Sequence, residues 1–275
     1  MRKIQYLIIL FIFSSCSNLK YLDAYDGFKN EPIEVESITY RITYTDSLSK
    51  EEMRFKVISS YDTKGRKVKS KDFKSDGSPS SGGTKYTYDK YGNEIKNIFY
   101  NIDSSINVQN NYKYNKYGQQ TEREYISGGK KSITKNDIDR KNKLNREIIR
   151  ESDGSISSNS LLKYNSKWRE FEIIFYNNLG NQESKIAFEY DENGNEILSK
   201  WYSSENMLYT LYKTTYNFNN DRIKIEKFSI ANGEKKLIES TKFEYKYDLH
   251  GNCIEEKLLY NGKPSWITRN NIKYL

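Results

Sequence analysis

The stretch Tyr190–Asn195, with the sequence YDENGN, decides the fold because close variants of it recur along most of the chain. The related copies begin at Tyr61, Tyr88, Tyr114, Tyr164, Tyr216 and Tyr247, with a degenerate copy at Ile138. Consecutive copies are separated by 24 to 31 residues. A spacing of this kind predicts a repeat architecture, in which each unit is one supersecondary element that packs on its neighbours.

Each copy carries the residues of a tight β-turn. Its second position is Asp or Asn, which caps the backbone two residues further on, and its fifth is usually Gly, which adopts a positive φ at no steric cost. Asn142, Asn220 and Trp168 hold the fifth position in the other three copies. We predict structural turns at Asp62 and Gly65, Asp89 and Gly92, Asn115 and Gly118, Asp191 and Gly194, and Asp248 and Gly251.

The residues between these turns have the alternation of β-strands. In Glu94-Ile95-Lys96 and Glu196-Ile197-Leu198, the pattern predicts that the middle residue points inward. A second turn signal, such as Asp76-Gly77, follows in most units. One repeat of about 26 residues is therefore two strands and two turns, and an extra hairpin near residues 37–60 brings the expected total to roughly 16–18 strands. The fold class predicted is all-β: an antiparallel β-meander of about eight two-stranded repeats, forming a long twisted or coiled sheet.

The pattern of Tyr-Asp turn, aromatic residue, Gly and Tyr-x-Tyr-Asp resembles the YD or RHS repeats of bacterial cell-surface and toxin proteins. The resemblance covers residues 61–275. It implies a continuous antiparallel ribbon that coils and, in long members of that family, encloses a cargo. This chain has eight copies and lacks a recognisable toxin or self-cleaving core, so the expectation here is a short, twisted and partly open sheet.

The N-terminus has the pattern of an export signal. Arg2 and Lys3 precede the apolar run YLIILFIF, which Ser14-Ser15-Cys16 closes. The run is much shorter than the ~20 residues that span a bilayer. Residues 1–15 resemble a bacterial lipoprotein signal peptide, which implies acylation of Cys16 and a cell-envelope location. Ser17 favours the outer membrane in that resemblance. An ordinary secretory signal with an incidental cysteine is the alternative.

These signals divide the chain into a signal peptide at 1–15, a polar tether at 16–36 and a β-sheet domain at 37–275. The chain has 45 Lys and Arg residues and 37 Asp and Glu residues, a formal net charge of +8. The two signs are interleaved and form no long basic block, so we expect no nucleic-acid partner. The expected membrane contact is the lipid anchor.

Candidate catalytic groups are few. With one His and two Cys, the chain cannot build a zinc finger or a disulfide framework. His250 lies in a turn, Cys253 stands in a slot that other copies fill with Lys or Glu, and DENGNE at 191–196 lacks the spacing of a calcium loop. We therefore predict no catalytic residue, no metal and no cofactor.

The tryptophans are the best candidates for ligand contacts because the repeat does not require Trp where they stand. The candidate binding residues are Trp168, Trp201, Tyr202 and Trp266. The function expected is a non-enzymatic lipoprotein whose sheet presents a binding or structural surface to a protein or a glycan. Two alternatives stay open: a cell-envelope glycan-active enzyme that uses a carboxylate pair, and an accessory of an RHS-type toxin system.

Overall fold

The computed structural model describes residues 24–45 and 48–275, which form one short 3-10 helix and eighteen β-strands. The helix covers Ala24–Gly27. The strands are β1 (Pro32–Thr45), β2 (Leu48–Tyr61), β3 (Lys67–Lys74), β4 (Gly83–Tyr88), β5 (Glu94–Tyr100), β6 (Ile106–Tyr114), β7 (Gln120–Ser127), β8 (Lys130–Asp139), β9 (Leu144–Arg150), β10 (Ile156–Tyr164), β11 (Glu170–Tyr176), β12 (Gln182–Tyr190), β13 (Glu196–Ser203), β14 (Leu208–Tyr216), β15 (Arg222–Ala231), β16 (Glu234–Tyr247), β17 (Cys253–Tyr260) and β18 (Lys263–Tyr274). Strand β1 begins inside the stretch predicted as tether.

The strands form a closed barrel. Each strand pairs antiparallel with the next one in the chain, and β1 pairs with both β2 and β18. At this closing seam Thr39 lies opposite Thr268, with their hydroxyl oxygens 3.0 Å apart. The all-β antiparallel prediction agrees with the structure. The prediction of a long twisted or coiled open sheet is wrong, because pairing β1 with β18 satisfies the backbone groups that two open edges would leave exposed.

The predicted turn residues lie at one end of the barrel. We call this end the repeat-turn rim; it consists of residues 62–66, 89–93, 115–119, 140–143, 165–169, 191–195, 217–221 and 248–252. In the turn at 191–195, Asp191 accepts backbone N–H bonds of 2.8 Å from both Gly194 and Asn195, and Gly194 has a φ of 95°. In the degenerate copy the positive φ falls on Lys143, at 56°, and not on the predicted Asn142.

A β-bulge accompanies most of these turns. Tyr190 lies opposite Glu196 while Glu189 lies opposite Leu198, so Ile197 is the extra residue. The same register shift stands beside Tyr61, Tyr88, Tyr114, Tyr164, Tyr216 and Tyr247. Because the bulge adds one residue, Glu196 shares the face of Tyr190. The prediction that Ile197 points inward assumed unbroken alternation along the strand. The bulge at Ile197 interrupts that alternation.

The repeat tyrosines and the glutamates opposite them lie on the inner face. This face also holds a buried cluster of Ile173, Ile186 and Phe188. Burial raises the pKa of the inner carboxyls, as at Glu196. On the outer face, hydrogen bonds from Lys131 and Asn111 lower the pKa of Glu124. The concave side of a closed sheet crowds its side chains together, which explains the contrast between the two faces.

The outer face carries pairs of opposite charge. Lys113 and Glu122 are 2.8 Å apart, and Lys163 and Glu172 are 2.6 Å apart. Further pairs on this face join Lys131 to Glu124, Lys200 to Glu189, Lys246 to Glu255 and Lys185 to Glu172. Across residues 24–45 and 48–275, no helix has the length and apolarity needed to cross a membrane.

Candidate functional site

The inner face near the repeat-turn rim is the candidate site, because it collects side chains that carry chemistry. In the seven copies that begin with Tyr, the bulge brings one residue opposite that tyrosine. Glu94 lies opposite Tyr88, and Glu170 lies opposite Tyr164. In other repeats the same position holds Lys67, Gln120, Glu196, Arg222 or Cys253.

Three carboxyls follow one another along this wall, on alternate strands β9, β11 and β13. Burial, helped by the nearby carboxyls of Glu147 and Glu196, raises the pKa of Glu170 to about 7. The Tyr164 hydroxyl, 3.3 Å from Oε1 of Glu170, acts in the opposite direction by stabilising the carboxylate. Burial also raises the pKa of Glu147 and Glu196. We call Glu147, Glu170 and Glu196 the acidic arc.

A hydrogen-bonded polar network continues the wall on β5, β6 and β7. The side-chain amide of Asn97 donates to Oε1 of Glu94 at 2.6 Å, and that of Asn110 donates to Oδ1 of Asn97 at 2.8 Å. Arg123 then donates through Nε to Oδ1 of Asn110 at 2.9 Å. These amides and carboxyls are ordered by one another, which holds them in fixed directions on the wall.

A recess of about 520 Å³ lies on the other side of the acidic arc. Its lining includes Arg222, Tyr245 and Glu256, together with Cys253. The phenol of Tyr245 donates to the backbone carbonyl of Arg222 at 2.7 Å. Burial raises the pKa of the Cys253 thiol to about 11, so at neutral pH it is protonated and is not a reactive thiolate.

The four predicted aromatic binding residues do not form one platform. Trp201 and Trp266 lie on the inner face, and each is 36% exposed. Trp201 packs near Tyr212, with ring centroids 6.3 Å apart. Tyr202 points to the outer face, where Lys185 lies 4.8 Å from its ring centroid. Trp201 and Tyr202 therefore lie on opposite sides of the wall.

Trp168 occupies a turn at the repeat-turn rim. Its φ of 58° lies in the left-handed region, where most other copies place Gly or Asn. The ring packs against Tyr164, with centroids 5.5 Å apart. Arg140 lies between two rings, 5.0 Å from Trp168 and 3.9 Å from Tyr117. Trp168 is thus part of a cation–π cluster on the rim rather than a residue of the inner wall.

No group of three or more His, Cys, Asp or Glu residues in the described parts of the chain is arranged to hold a metal ion. Cys16 lies outside the described residues. Sequence reasoning identified neither the acidic arc nor the polar network. For Glu170 and Glu196, the available signal was the recurrence of Glu at the second residue after the turn glycine or its substitute, a position that Glu94 shares.

Comparison with protein-family profiles and with curated protein sequences gives no match. Comparison with solved structures gives several matches at low identity. A porin-like protein from Bacteroides uniformis has 10% identity and a TM-score of 0.32, over 88% of this chain and 96% of that one. A porin-like protein from Bacteroides vulgatus has 12% identity and a TM-score of 0.37, over 89% and 99%. The TcdB2–TccC3–TEV structure has 14% identity and a TM-score of 0.36, over 82% of this chain and 14% of that one.

Proposed function

We propose that this protein is a non-enzymatic binding protein of the cell envelope, held by a lipid anchor at Cys16, that takes a glycan against the inner face of its barrel. The observation that carries the proposal is the placement of Trp201 and Trp266. Both indole rings stay partly exposed on a face that also carries hydrogen-bonding side chains such as Asn97 and Asn110.

That combination suits a sugar ring. A pyranose offers an apolar face of C–H groups, which an exposed aromatic ring covers, and an edge of hydroxyls, which planar polar groups bind. The inner face supplies such groups in Asn97, Asn110 and the acidic arc.

The outer face supports attachment by an anchor rather than contact of the barrel wall with lipid. Lys113, Lys163 and Lys200 point outward and are paired with carboxylates. A Lys on the lipid-facing side of a membrane barrel costs about 2–4 kcal/mol near the bilayer midplane. A wall that carries many such residues is built for contact with water, and the chemistry implied for Cys16 then supplies the membrane attachment.

Binding to soluble glycans tests the proposal. The protein would be titrated with dextran, laminarin, xyloglucan and polygalacturonate, with intrinsic tryptophan fluorescence and calorimetry as readouts. We expect at least one glycan to bind and Trp201→Ala to weaken that binding tenfold or more. Tyr202→Ala is the matched control, because it is the neighbouring residue on the opposite face. Binding that is absent for all four glycans, or unchanged in Trp201→Ala and Trp266→Ala, contradicts the proposal.

A second candidate, a glycan-active enzyme, is favoured by one observation. Glu170, with its raised pKa, is protonated for much of the time near neutral pH, as the general acid of a glycosidase is, and it has further carboxyls nearby that could act as its partner. If the barrel cleaves glycans, reducing ends accumulate on incubation and Glu170→Gln abolishes them. Binding without new reducing ends supports the non-enzymatic proposal.

A further inference from the structure

The two rims of the barrel differ in charge. The eight segments of the repeat-turn rim contain nine Lys and Arg residues: Lys64, Arg66, Lys90, Lys116, Arg140, Lys141, Lys143, Lys167 and Arg169. The opposite rim consists of residues 75–82, 101–105, 128–129, 151–155, 177–181, 204–207, 232–233 and 261–262. These described segments contain no Lys or Arg and carry the carboxylates Asp76, Asp103, Glu151, Asp153 and Glu205.

The repeat-turn rim also carries six acidic residues, Asp62, Asp89, Asp191, Glu192, Asp221 and Asp248, so nine basic residues minus six acidic residues leave a formal charge of +3. Asp62 accepts hydrogen bonds from Arg66, and hydrogen bonds from Tyr274 and the turn amides fix Asp248 in place. The same rim exposes large apolar side chains at its tips. Phe218 is 93% exposed and Leu249 is fully exposed. Tyr91 and Tyr117, each beside a lysine, are 77% and 52% exposed.

The N-terminal segment enters the barrel at this rim. The carboxylate of Asp26 accepts a hydrogen bond of 2.6 Å from Tyr61 and lies 2.6 Å from Nζ of Lys67, on either side of the turn at 62–66. The backbone N–H of Lys29 donates to Oδ1 of Asn252, and Nδ2 of Asn252 donates to the Lys29 carbonyl. The chain that leads back toward Cys16 therefore starts from the repeat-turn rim.

The length of that chain limits how far this rim can stand from the anchor. Eight residue steps separate Cys16 from Ala24, and a fully extended chain covers at most about 3.6 Å per residue, or about 30 Å in all. If Cys16 is acylated, the repeat-turn rim lies within this distance of the membrane. The opposite rim lies one barrel height further away.

We propose that the repeat-turn rim is a membrane-docking surface, whose lysines and arginines bind anionic lipid headgroups while Phe218 and Leu249 enter the interface. Basic residues near an anionic surface and exposed aromatic or aliphatic tips are the two contributions to interfacial binding. The barrel then stands on the bilayer, with its acidic rim directed away from the membrane. This orientation rests on the proposed anchoring, whereas the affinity of the rim for lipid does not.

The test uses the chain from Ser17 onward, which contains every described strand and lacks both the acylation site and the apolar leader. Flotation with vesicles of phosphatidylglycerol and phosphatidylcholine in equal parts should show binding, with less binding at high salt. Pure phosphatidylcholine vesicles should bind at least tenfold more weakly. The charge-reversed variant Lys90→Glu/Lys116→Glu/Lys167→Glu and the variant Phe218→Ser/Leu249→Ser should each lose binding tenfold or more.

The matched control is Leu179→Ser/Met207→Ser, since these two side chains are 86% and 60% exposed on the opposite rim. The control should bind like the unmodified chain. Absence of binding to the anionic vesicles, or equal loss in the control and the repeat-turn variants, overturns the docking surface. Glycan binding by the same chain and acylation of the full-length protein are measured separately. A failure of membrane docking can therefore be told apart from a failure of the proposed function.

Discussion

The phenol of Tyr190 donates a hydrogen bond of 2.6 Å to the backbone carbonyl of Glu170, which belongs to the preceding repeat. The same bond, at 2.7 to 3.0 Å, joins Tyr88 to Lys67, Tyr114 to Glu94 and Tyr216 to Glu196. In these four copies the opening tyrosine therefore links its hairpin to the one before it. The recurrence of Tyr rather than Phe at this position follows from the hydroxyl.

Removing one such hydroxyl should loosen the link between two repeats. We expect Tyr190→Phe to lower the free energy of unfolding by about 1 kcal/mol, because the ring stays while a partly buried carbonyl loses its donor. A urea titration measures the loss. Tyr91→Phe is the control, since Tyr91 is an exposed turn residue, and it should leave stability unchanged. Equal stability of Tyr190→Phe and the unmodified protein would mean that the bond is not a link between repeats.

Because the carboxyls of the acidic arc are buried, we expect the free energy of unfolding to fall as pH rises. In the unfolded chain Glu170 loses its proton near pH 4.5, but in the folded protein it keeps the proton until about pH 7. Between these values the folded state binds more protons, so the free energy of unfolding decreases with increasing pH. Glu170→Gln removes this loss. We expect the variant to gain about 1–3 kcal/mol relative to the unmodified protein between pH 4.5 and pH 8.

Glu124→Gln on the outer face is the matched control for that titration. Hydrogen bonds from Lys131 and Asn111 lower the pKa of Glu124, so its contribution is present at neutral pH and is lost as pH falls. Glu124→Gln should therefore lower stability at pH 8 and change it less at pH 3. A Glu170→Gln variant whose stability tracks that of the unmodified protein from pH 4.5 to pH 8 contradicts the burial of the arc.

The turn glycines should be required for their backbone conformation. Gly92 has a φ of 93°, and a Cβ placed there would meet no atom within 4 Å, so any cost comes from the backbone alone. We expect Gly92→Ala to cost about 1–2 kcal/mol and Gly92→Asn less, since Asn220 already adopts a φ of 65° in another copy. Urea titration of both variants measures this, and an Ala variant as stable as the Asn variant would refute it.

Acylation of Cys16 is a separate prediction, since this residue lies outside the described part of the chain. Metabolic labelling with a fatty-acid analogue should mark the full-length protein. Cys16→Ala should remove the label, because the thiol is the site that accepts the acyl chain. Label that persists in Cys16→Ala would contradict a lipoprotein and leave an ordinary secretory signal.

Local structure could be predicted from the sequence because turn chemistry is local. The Asx residue and the residue with positive φ stand three positions apart, so Asp191 and Gly194 indicate a turn without knowledge of distant residues. Strand identity and antiparallel pairing of successive strands follow from such turns. The prediction for the degenerate copy was wrong about the residue with positive φ. Lys143 lies one position further from Asp139 than Gly194 lies from Asp191.

Closure of the barrel could not be predicted in the same way. It depends on the pairing of β1 with β18, where Ser37 and Asn270 are 233 residues apart in sequence and their side chains are hydrogen-bonded at 2.7 Å. The pairing between successive repeats is the same in an open ribbon as in a closed ring, so this pairing does not distinguish the two. The accumulated curvature of the sheet decides between the two, and no single turn encodes it.

The acidic arc was missed for a different reason. Alternation along Glu196-Ile197-Leu198 places Glu196 outside, but the bulge at Ile197 returns Glu196 to the side of Tyr190. The next residue on the inner face is Ser199, which is three positions further on and is buried. A period of two therefore fails at the first residues after each bulged turn, which are the residues that line the candidate site.

A disulfide across the closing seam tests the barrel most directly. Thr39→Cys/Thr268→Cys would be made in a Cys253→Ser background, in the chain from Ser17 onward, and oxidised at low protein concentration. If the barrel is closed, the intramolecular disulfide forms as completely as in the control Ser59→Cys/Ser70→Cys, which joins the neighbouring strands β2 and β3. Mass spectrometry of the digested monomer identifies the disulfides. If the control disulfide forms and the disulfide between positions 39 and 268 does not, the sheet is open.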